Sequence, residues 1–159
     1  MYDLISIGDS TIDVFLELGE KEVRVKDENN DKVLDLIMDF GTKIPVKAMT
    51  RVAAVGNAAN NAVGSARLGL NTALYTVVGD DVEGEEMRSV FANEKVAATY
   101  VVTDTGKRSN LSVVISFQKE RTILVYHEPR TYQLPQLEPA KWIYLTSVGK
   151  EHQDLHRQV

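Results

Sequence analysis

Small and apolar residues in the middle of the chain follow a helical and then a strand pattern, with glycines between the two. Small residues at helical spacing predict a helix over 57–68, and Gly69 stands where a left-handed residue commonly ends a helix. The apolar and β-branched run 72–78 then predicts a buried parallel strand. A further strand is predicted at 2–7, ending at Gly8.

Between that first strand and the helix, the pattern favours short antiparallel strands over strand–helix units. Apolar positions alternate weakly there, and polar residues separate the runs. The predicted strands lie at 14–18, 23–26 and 33–40, with a turn at 27–32 and a loop at 41–47.

The second half of the chain returns to strand–helix alternation. Asp80 is predicted to cap a second helix, with Glu83 at its third position, and this helix should end near 93–95. Two consecutive strand–helix units imply a parallel sheet with right-handed crossovers. The remaining predictions are a strand at 98–102, a hairpin at 110–126 turning at 119–120, a loop at 129–139, a buried strand at 141–147 and a helix beginning at 151.

Composition excludes several classes of protein. Hydrophobic residues make up 43% and charged residues 26% of the 159, which is typical of a soluble globular domain. The net charge is −5 and no basic run occurs, which argues against nucleic acid as a partner. Without cysteine there is neither a disulfide framework nor a thiolate metal site. We see no signal peptide and no apolar run of bilayer length, so we expect a cytoplasmic protein without a membrane partner.

Polar residues stand at the positions where an open α/β sheet binds ligands, beyond strand ends and at a helix start. Asp13 follows the first strand, and its carboxylate can accept hydrogen bonds from two neighbouring hydroxyls. Asn57, Asn60 and Asn61 lie in the first turns of the helix, beside backbone N–H groups that lack helical partners. This arrangement suits an uncharged ligand rich in hydroxyls. An equally good interpretation is that the alanines mark tight helix–sheet packing and the asparagines are only caps.

This segment resembles the glycine-rich N-terminal signature of the PfkB family of carbohydrate kinases, also called the ribokinase-like family. That signature runs roughly Gly-Gly-Asn-x-Ala-Asn-x-Ala, then Ala-Arg-Leu-Gly, an apolar strand and Gly-x-Asp. Val55 replaces the first glycine. The residues that match in order and spacing are Gly56, Asn57, Ala59, Asn60, Ala62, Ala66, Arg67, Leu68, Gly69, Gly79 and Asp81.

The resemblance implies a three-layer, Rossmann-like α/β fold with a mainly parallel sheet and a small antiparallel β-lid, inserted at about 14–47 and 110–126. It implies a kinase that transfers the γ-phosphate of ATP to a hydroxyl of a sugar or nucleoside, with Gly8-Asp9-x-x-x-Asp13 similar to the family's opening motif. For Arg108, an exposed loop residue is nearly as good an interpretation. The substrate-binding residues would be Thr11, Asp13, Gly56, Asn57, Asn60, Arg108 and Asn110.

The family's second signature, Asp-Thr-x-Gly-Ala-Gly-Asp, does not occur in this sequence, and neither a P-loop nor GxGxxG replaces it. The resemblance therefore covers the N-terminal, substrate-binding part of the family, truncated before the nucleotide-binding part. The catalytic base would lie beyond Val159. ATP and Mg²⁺ are cofactors of the full-length family, and we expect neither to bind well to these residues.

Three further expectations follow. The chain should form a homodimer through the lid, or associate with itself or another chain through an uncovered sheet edge. The alternative function is a non-catalytic sugar- or nucleoside-binding module, or a structural partner of a separate C-terminal half. His152 and His156 could share a helix face and bind a metal, but surface histidines without a metal are the better interpretation because no third ligand is in view.

Overall fold

The computed structural model describes residues 1–21, 23–27, 30, 34–149 and 153–159, with Gln153 described by its backbone only. These residues form two compact units. The first unit contains Met1–Asp13, Val52–Ser112 and Val125–Val159, and the second contains Val14–Arg51 and Val113–Leu124.

Ten strands and three helices are formed by the described residues. In chain order they are β1 (Tyr2–Ile7), β2 (Thr11–Leu18), β3 (Val23–Lys26), β4 (Asp35–Met38), β5 (Val46–Val55), α1 (Asn57–Arg67), β6 (Thr72–Gly79), α2 (Val82–Asn93), β7 (Ala97–Asp104), β8 (Asn110–Phe117), β9 (Glu120–Tyr126), β10 (Ala140–Leu145) and α3 (Gln153–Gln158). No helix in the described ranges is long and apolar enough to cross a membrane.

The first unit is built on a parallel sheet of four strands in the order β10-β1-β6-β7. Every residue of β6 is buried, as its apolar sequence predicts. In the pairing of β1 with β6, Ile5 lies beside Ala73 and Ile7 lies beside Tyr75. These four side chains belong to one buried apolar cluster. The predicted parallel sheet is therefore confirmed.

Helix α1 packs on β1 and β6 through its alanines. Ala58, Ala59 and Ala62 are completely buried, and a Cβ on Gly8 would stand 3.0 Å from the Cβ of Ala58. Side chains this small are needed because helix and strand approach so closely. The tight-packing interpretation of the alanines is confirmed, and Gly69 adopts the expected left-handed conformation, with φ of 91°.

The predicted cap of α2 is wrong by one residue. Asp81, not Asp80, is the N-cap, and its Oδ1 accepts a hydrogen bond from the Gly84 N–H at 2.9 Å. Asp80 bonds to the turn at Gly106 instead, where its Oδ2 accepts a hydrogen bond from the Gly106 N–H at 3.0 Å.

The remaining strands pair in the order β5-β2-β8-β9, and β3 pairs with β4 in an antiparallel ribbon. The hairpin at 110–126 is confirmed, but its turn is at Gln118 and Lys119 instead of 119–120. Both residues have positive φ (47° and 71°), as a two-residue hairpin turn with the twist of its strands requires. Within the second unit, Leu18, Val23 and Ile115 form a small apolar core.

Two strands in this region differ from the prediction. Strand β2 begins at Thr11, three residues before the predicted start at 14, and β5 begins at Val46, inside the predicted loop 41–47. The predicted strand at 33–40 is shorter, since β4 covers only Asp35–Met38. Residue 33, most of the predicted turn at 27–32 and the start of the predicted final helix, including His152, lie outside the described residues.

The prediction that 141–147 is buried is wrong. Among the described residues, strand β10 is at the edge of its sheet and pairs with β1 alone, so its side chains stay accessible. Trp142 is 75% exposed, and Ile143 and Tyr144 are also exposed. An unpaired parallel edge is therefore present among the described residues, while association through it stays a prediction.

Two glycine-to-alanine substitutions should shift stability in opposite directions. A Cβ on Gly79 would lie 2.7 Å from Arg108 C and Ser109 N, and closer still to Lys107 O, so Gly79→Ala should lower the free energy of unfolding by about 1–3 kcal/mol. A Cβ on Gly64, inside α1, would meet open space, so Gly64→Ala should raise the free energy of unfolding by roughly 0.5–1 kcal/mol. Urea unfolding measures both, and equal stabilities would contradict the packing described here.

Candidate functional site

Three segments of the first unit converge on Asp9 and Ser10, which follow β1 after Gly8. The backbone at Gly56 has φ of 103°, and a Cβ there would lie 2.7 Å from the Asp9 carbonyl oxygen. Asn110 donates from Nδ2 to the Ser10 carbonyl at 3.3 Å, and the Asp9 N–H donates to the Ser147 carbonyl at 2.8 Å. The start of α1, the start of β8 and the end of β10 therefore meet at the carboxyl end of β1, where open α/β sheets bind ligands.

Asp13 lies three residues beyond Ser10 and is half-buried. Burial raises the pKa of its carboxyl, and a hydrogen bond with Ser112 opposes that rise. Asp13 Oδ1, Ser10 Oγ and Asp9 Oδ2 are all buried without a hydrogen-bond partner among the described residues. Three unpartnered oxygens within five residues form an unusual concentration, because buried polar atoms are generally paired.

The predicted residues Gly56 and Asn57 lie at the start of α1, and Gly56 is the one of them that approaches Asp9 and Ser10. Gly56 is the N-cap residue of α1, so no side chain caps this helix. Its backbone has φ of 103° and ψ of 158°, a conformation that only glycine adopts readily. Asn57 is exposed, and its Nδ2 donates to Ser147 Oγ at 3.0 Å instead of capping the helix. Asn60 is exposed one turn later. Asn61 points to β1 instead, where its Oδ1 accepts from the Ser6 hydroxyl at 2.7 Å.

The other three predicted residues differ in how their side chains are used. Thr11 is half-buried at the start of β2, and its hydroxyl donates to the Ile12 carbonyl at 3.2 Å. Asn110 is 2% exposed, and its Oδ1 accepts from the Glu128 N–H at 3.0 Å, so backbone groups occupy both ends of its amide. Arg108 is exposed and borders a hollow beside the acidic start of α2.

The loop that carries Arg108 and Asn110 is held by Asp81. Its Oδ2 accepts from the Ser109 N–H at 2.7 Å, and its Oδ1 accepts from the Ser109 hydroxyl at 2.6 Å. Ser109 Oγ in turn accepts from the Gly79 N–H at 3.0 Å. Burial opposes ionisation of Asp81, but the bonds from Ser109 and Gly84 outweigh it and hold the pKa of this carboxyl below its usual value.

One polar cluster was missed by the sequence analysis. Asp9 is 6% exposed, and its Oδ1 accepts from the Tyr132 hydroxyl at 2.6 Å. Its Oδ2 lies 3.6 Å from His127 Nδ1. Burial raises the pKa of Asp9 against the effect of the Tyr132 bond, and burial with the neighbouring Asp9 raises the pKa of Tyr132. The Gly8-Asp9 pair after a strand was a signal for Asp9, but Tyr132 lies in a loop without periodicity.

Known proteins match this chain over most of its length. The family model described as "pfkB family carbohydrate kinase" matches residues 23–153. A fructokinase of Klebsiella pneumoniae is 33% identical over 101 residues, which cover 59% of this chain and 33% of that protein. The chain thus spans about a third of the length of the curated relatives that it matches.

Solved structures share the fold. A ribokinase from Cryptococcus neoformans var. grubii serotype A, in complex with ADP, has a TM-score of 0.65 at 20% identity and covers 91% of this chain and 40% of its own. A fructokinase from Halothermothrix orenii has a TM-score of 0.61 at 20% identity, covering 90% and 45%. The expected ribokinase-like α/β fold is confirmed.

The described residues do not fit the nucleotide and metal that such proteins imply. Within the described ranges, no group of three histidine or acidic side chains could hold a metal ion. The sequence contains neither a P-loop nor GxGxxG, the glycine-rich patterns that bind nucleotide phosphates.

Replacing Asp81 tests whether its carboxylate organises the loop. Asp81→Asn keeps the shape but loses charge-assisted bonds, so it should lower the free energy of unfolding at neutral pH by about 1–3 kcal/mol. A carboxyl whose pKa is lowered on folding stabilises above its unfolded pKa, near 3.8, and loses that contribution as pH falls through its folded pKa. The difference between parent and variant should therefore shrink below about pH 4.

Denaturant unfolding from about pH 2.5 to about pH 7 measures the difference in unfolding free energy between the parent and Asp81→Asn. The control is Asp80→Asn, because Asp80 accepts only one of these loop bonds, from Gly106. If the loss of unfolding free energy in Asp81→Asn did not change with pH, or if Asp80→Asn lost as much, the Asp81 carboxylate would not be the group that holds the loop.

Proposed function

The chain belongs to the pfkB family of carbohydrate kinases, and from this we propose that it forms the part of such a kinase that binds the acceptor sugar or nucleoside. In the whole enzyme, the acceptor hydroxyl would receive the γ-phosphate of ATP. The observation that carries the proposal is the buried, unpartnered Oδ1 of Asp13 at the carboxyl end of the sheet, among the residues described.

The chemistry of this place supports a hydroxyl-rich acceptor. An ionised carboxylate accepts hydrogen bonds only, so Asp13 Oδ1 calls for a donor such as a sugar hydroxyl. Asn57 and Asn60 are exposed carboxamides one helical turn apart, and each can donate and accept. We propose Asp13, Asn57, Asn60, Thr11 and the backbone at Gly56 as the substrate contacts.

Asn110 and Arg108 have more indirect roles in this proposal. Asn110 is bonded to the backbone at Ser10 and Glu128, so it holds the site in place, and contact with substrate would break one of those bonds. Arg108 would contact substrate only at its edge, because it borders the start of α2.

We also propose that these 159 residues position an acceptor without transferring phosphate. Phosphoryl transfer requires stabilised charge and an oriented nucleophile in addition to positioning. The chain spans about a third of its curated relatives and lacks the second signature of the family. A coupled assay of ADP release with D-fructose, D-ribose and adenosine should show no turnover above a no-protein blank. Sustained turnover would refute this part of the proposal.

Asp13→Asn and Asn60→Ala should each weaken binding of the ligand from that panel that the parent binds best. Either change leaves a polar partner unpaired, at a cost of about 1–3 kcal/mol, or roughly 5- to 150-fold in Kd. Isothermal titration calorimetry measures the loss. The control is Asp3→Asn, at the opposite end of β1, where Asp3 binds Lys141 and the Asn71 backbone. Unchanged affinity in both site variants would remove the site from this position.

A further inference from the structure

A second polar hollow lies in the first unit. It has a volume of about 930 Å³. None of Asp13, Asn57 and Asn60 is among the residues that line it. Its lining includes His127, Arg130, Tyr132, Val148, Gly149 and Leu155.

His127 lines the hollow in front of a buried acid. Its Nδ1 lies 3.6 Å from Asp9 Oδ2, and the Tyr132 hydroxyl donates to the other oxygen of Asp9 at 2.6 Å. The ring is half-exposed, so its Nε2 is left for a ligand. A hydroxyl can pair with this nitrogen whether or not the nitrogen carries a proton, because a hydroxyl both donates and accepts.

Arg130 lines the same hollow and has a buried N–H without a partner among the described residues. Its side chain is completely buried; Nη1 lies 3.3 Å from Asp104 Oδ2, and Nη2 donates to the Arg108 carbonyl. Nε has no partner among the described residues. An unpaired N–H of this kind is suited to an acceptor oxygen that enters from the hollow.

The charges around the hollow favour a neutral ligand. Asp104 pairs with Arg130, Glu128 with Lys107, and Asp154 with Arg157. Asp9 adds an acidic group behind His127. With its cations paired and an acid close by, the wall offers little attraction for a phosphate or carboxylate.

We propose that this hollow is a second binding site for a neutral, hydroxyl-rich ligand, a sugar or polyol, separate from the site at Asp13. Neighbouring hydroxyls of such a ligand can pair with His127 Nε2 and accept from Arg130 Nε. Asp9 and Tyr132 are positioning residues, because the Tyr132 bond fixes the Asp9 carboxylate beside the His127 ring.

The test follows the His127 ring signals by NMR while the 159-residue protein is titrated with D-fructose. His127→Gln identifies those signals among the three histidines. We expect saturable shifts in the parent and the same shifts in Asp13→Asn, whose own site is impaired. Tyr132→Phe should weaken the response several-fold. Tyr75→Phe should not, because the Tyr75 hydroxyl donates to the Gln133 carbonyl outside the hollow.

Each contrary result overturns the inference in a different way. Shifts that disappear in Asp13→Asn would mean one site, not two. Shifts with inorganic phosphate but not with D-fructose would reject a neutral ligand. No shift with either probe would reject the hollow as a site, while calorimetric binding that depends on Asp13 would still support the proposed function. Should Tyr132→Phe not fold, the comparison of the parent with Asp13→Asn decides the matter.

Discussion

The first unit depends on the close approach of a slim helix to the carboxyl end of a parallel strand. Ala58 lies against Gly8, and the backbone of Gly56 lies against the Asp9 carbonyl, with no room at either place for an added Cβ. Since interiors are packed as densely as crystals, a larger residue at either contact would push α1 away from β1. Asp9 and Ser10, each with a buried polar atom that has no partner among the described residues, lie against the backbone at the start of this helix.

Three aspartates of this unit show how surroundings decide the behaviour of one side chain. Asp9 and Asp13 are buried with few donors, so burial dominates and raises their pKa values. Asp81 accepts bonds from Ser109 and Gly84, and its pKa is lowered. Asp13 Oδ1 has no partner among the described residues, and Asp9 Oδ2 faces His127 Nδ1 without a hydrogen bond, whereas both oxygens of Asp81 accept bonds that hold a loop.

Local patterns predicted the parts of this structure that depend on local interactions. Helix α1 and strand β6 were predictable because periodicity and glycine positions are properties of neighbouring residues. The cap of α2 was ambiguous because two aspartates precede it. The exposure of β10 depends on what lies beside its edge, which an apolar run cannot indicate. The Tyr132–Asp9 bond joins residues 123 positions apart, so no local pattern carries it.

Whether Asp13 binds the acceptor sugar would be seen directly in a crystal structure of the 159-residue chain grown with the sugar that binds best. We expect a sugar hydroxyl at about 2.5–3.0 Å from Asp13 Oδ1, with the sugar also in reach of the Asn57 and Asn60 carboxamides. A well-defined sugar elsewhere, without contact to Asp13 Oδ1, would show that the acceptor site is not at Asp13.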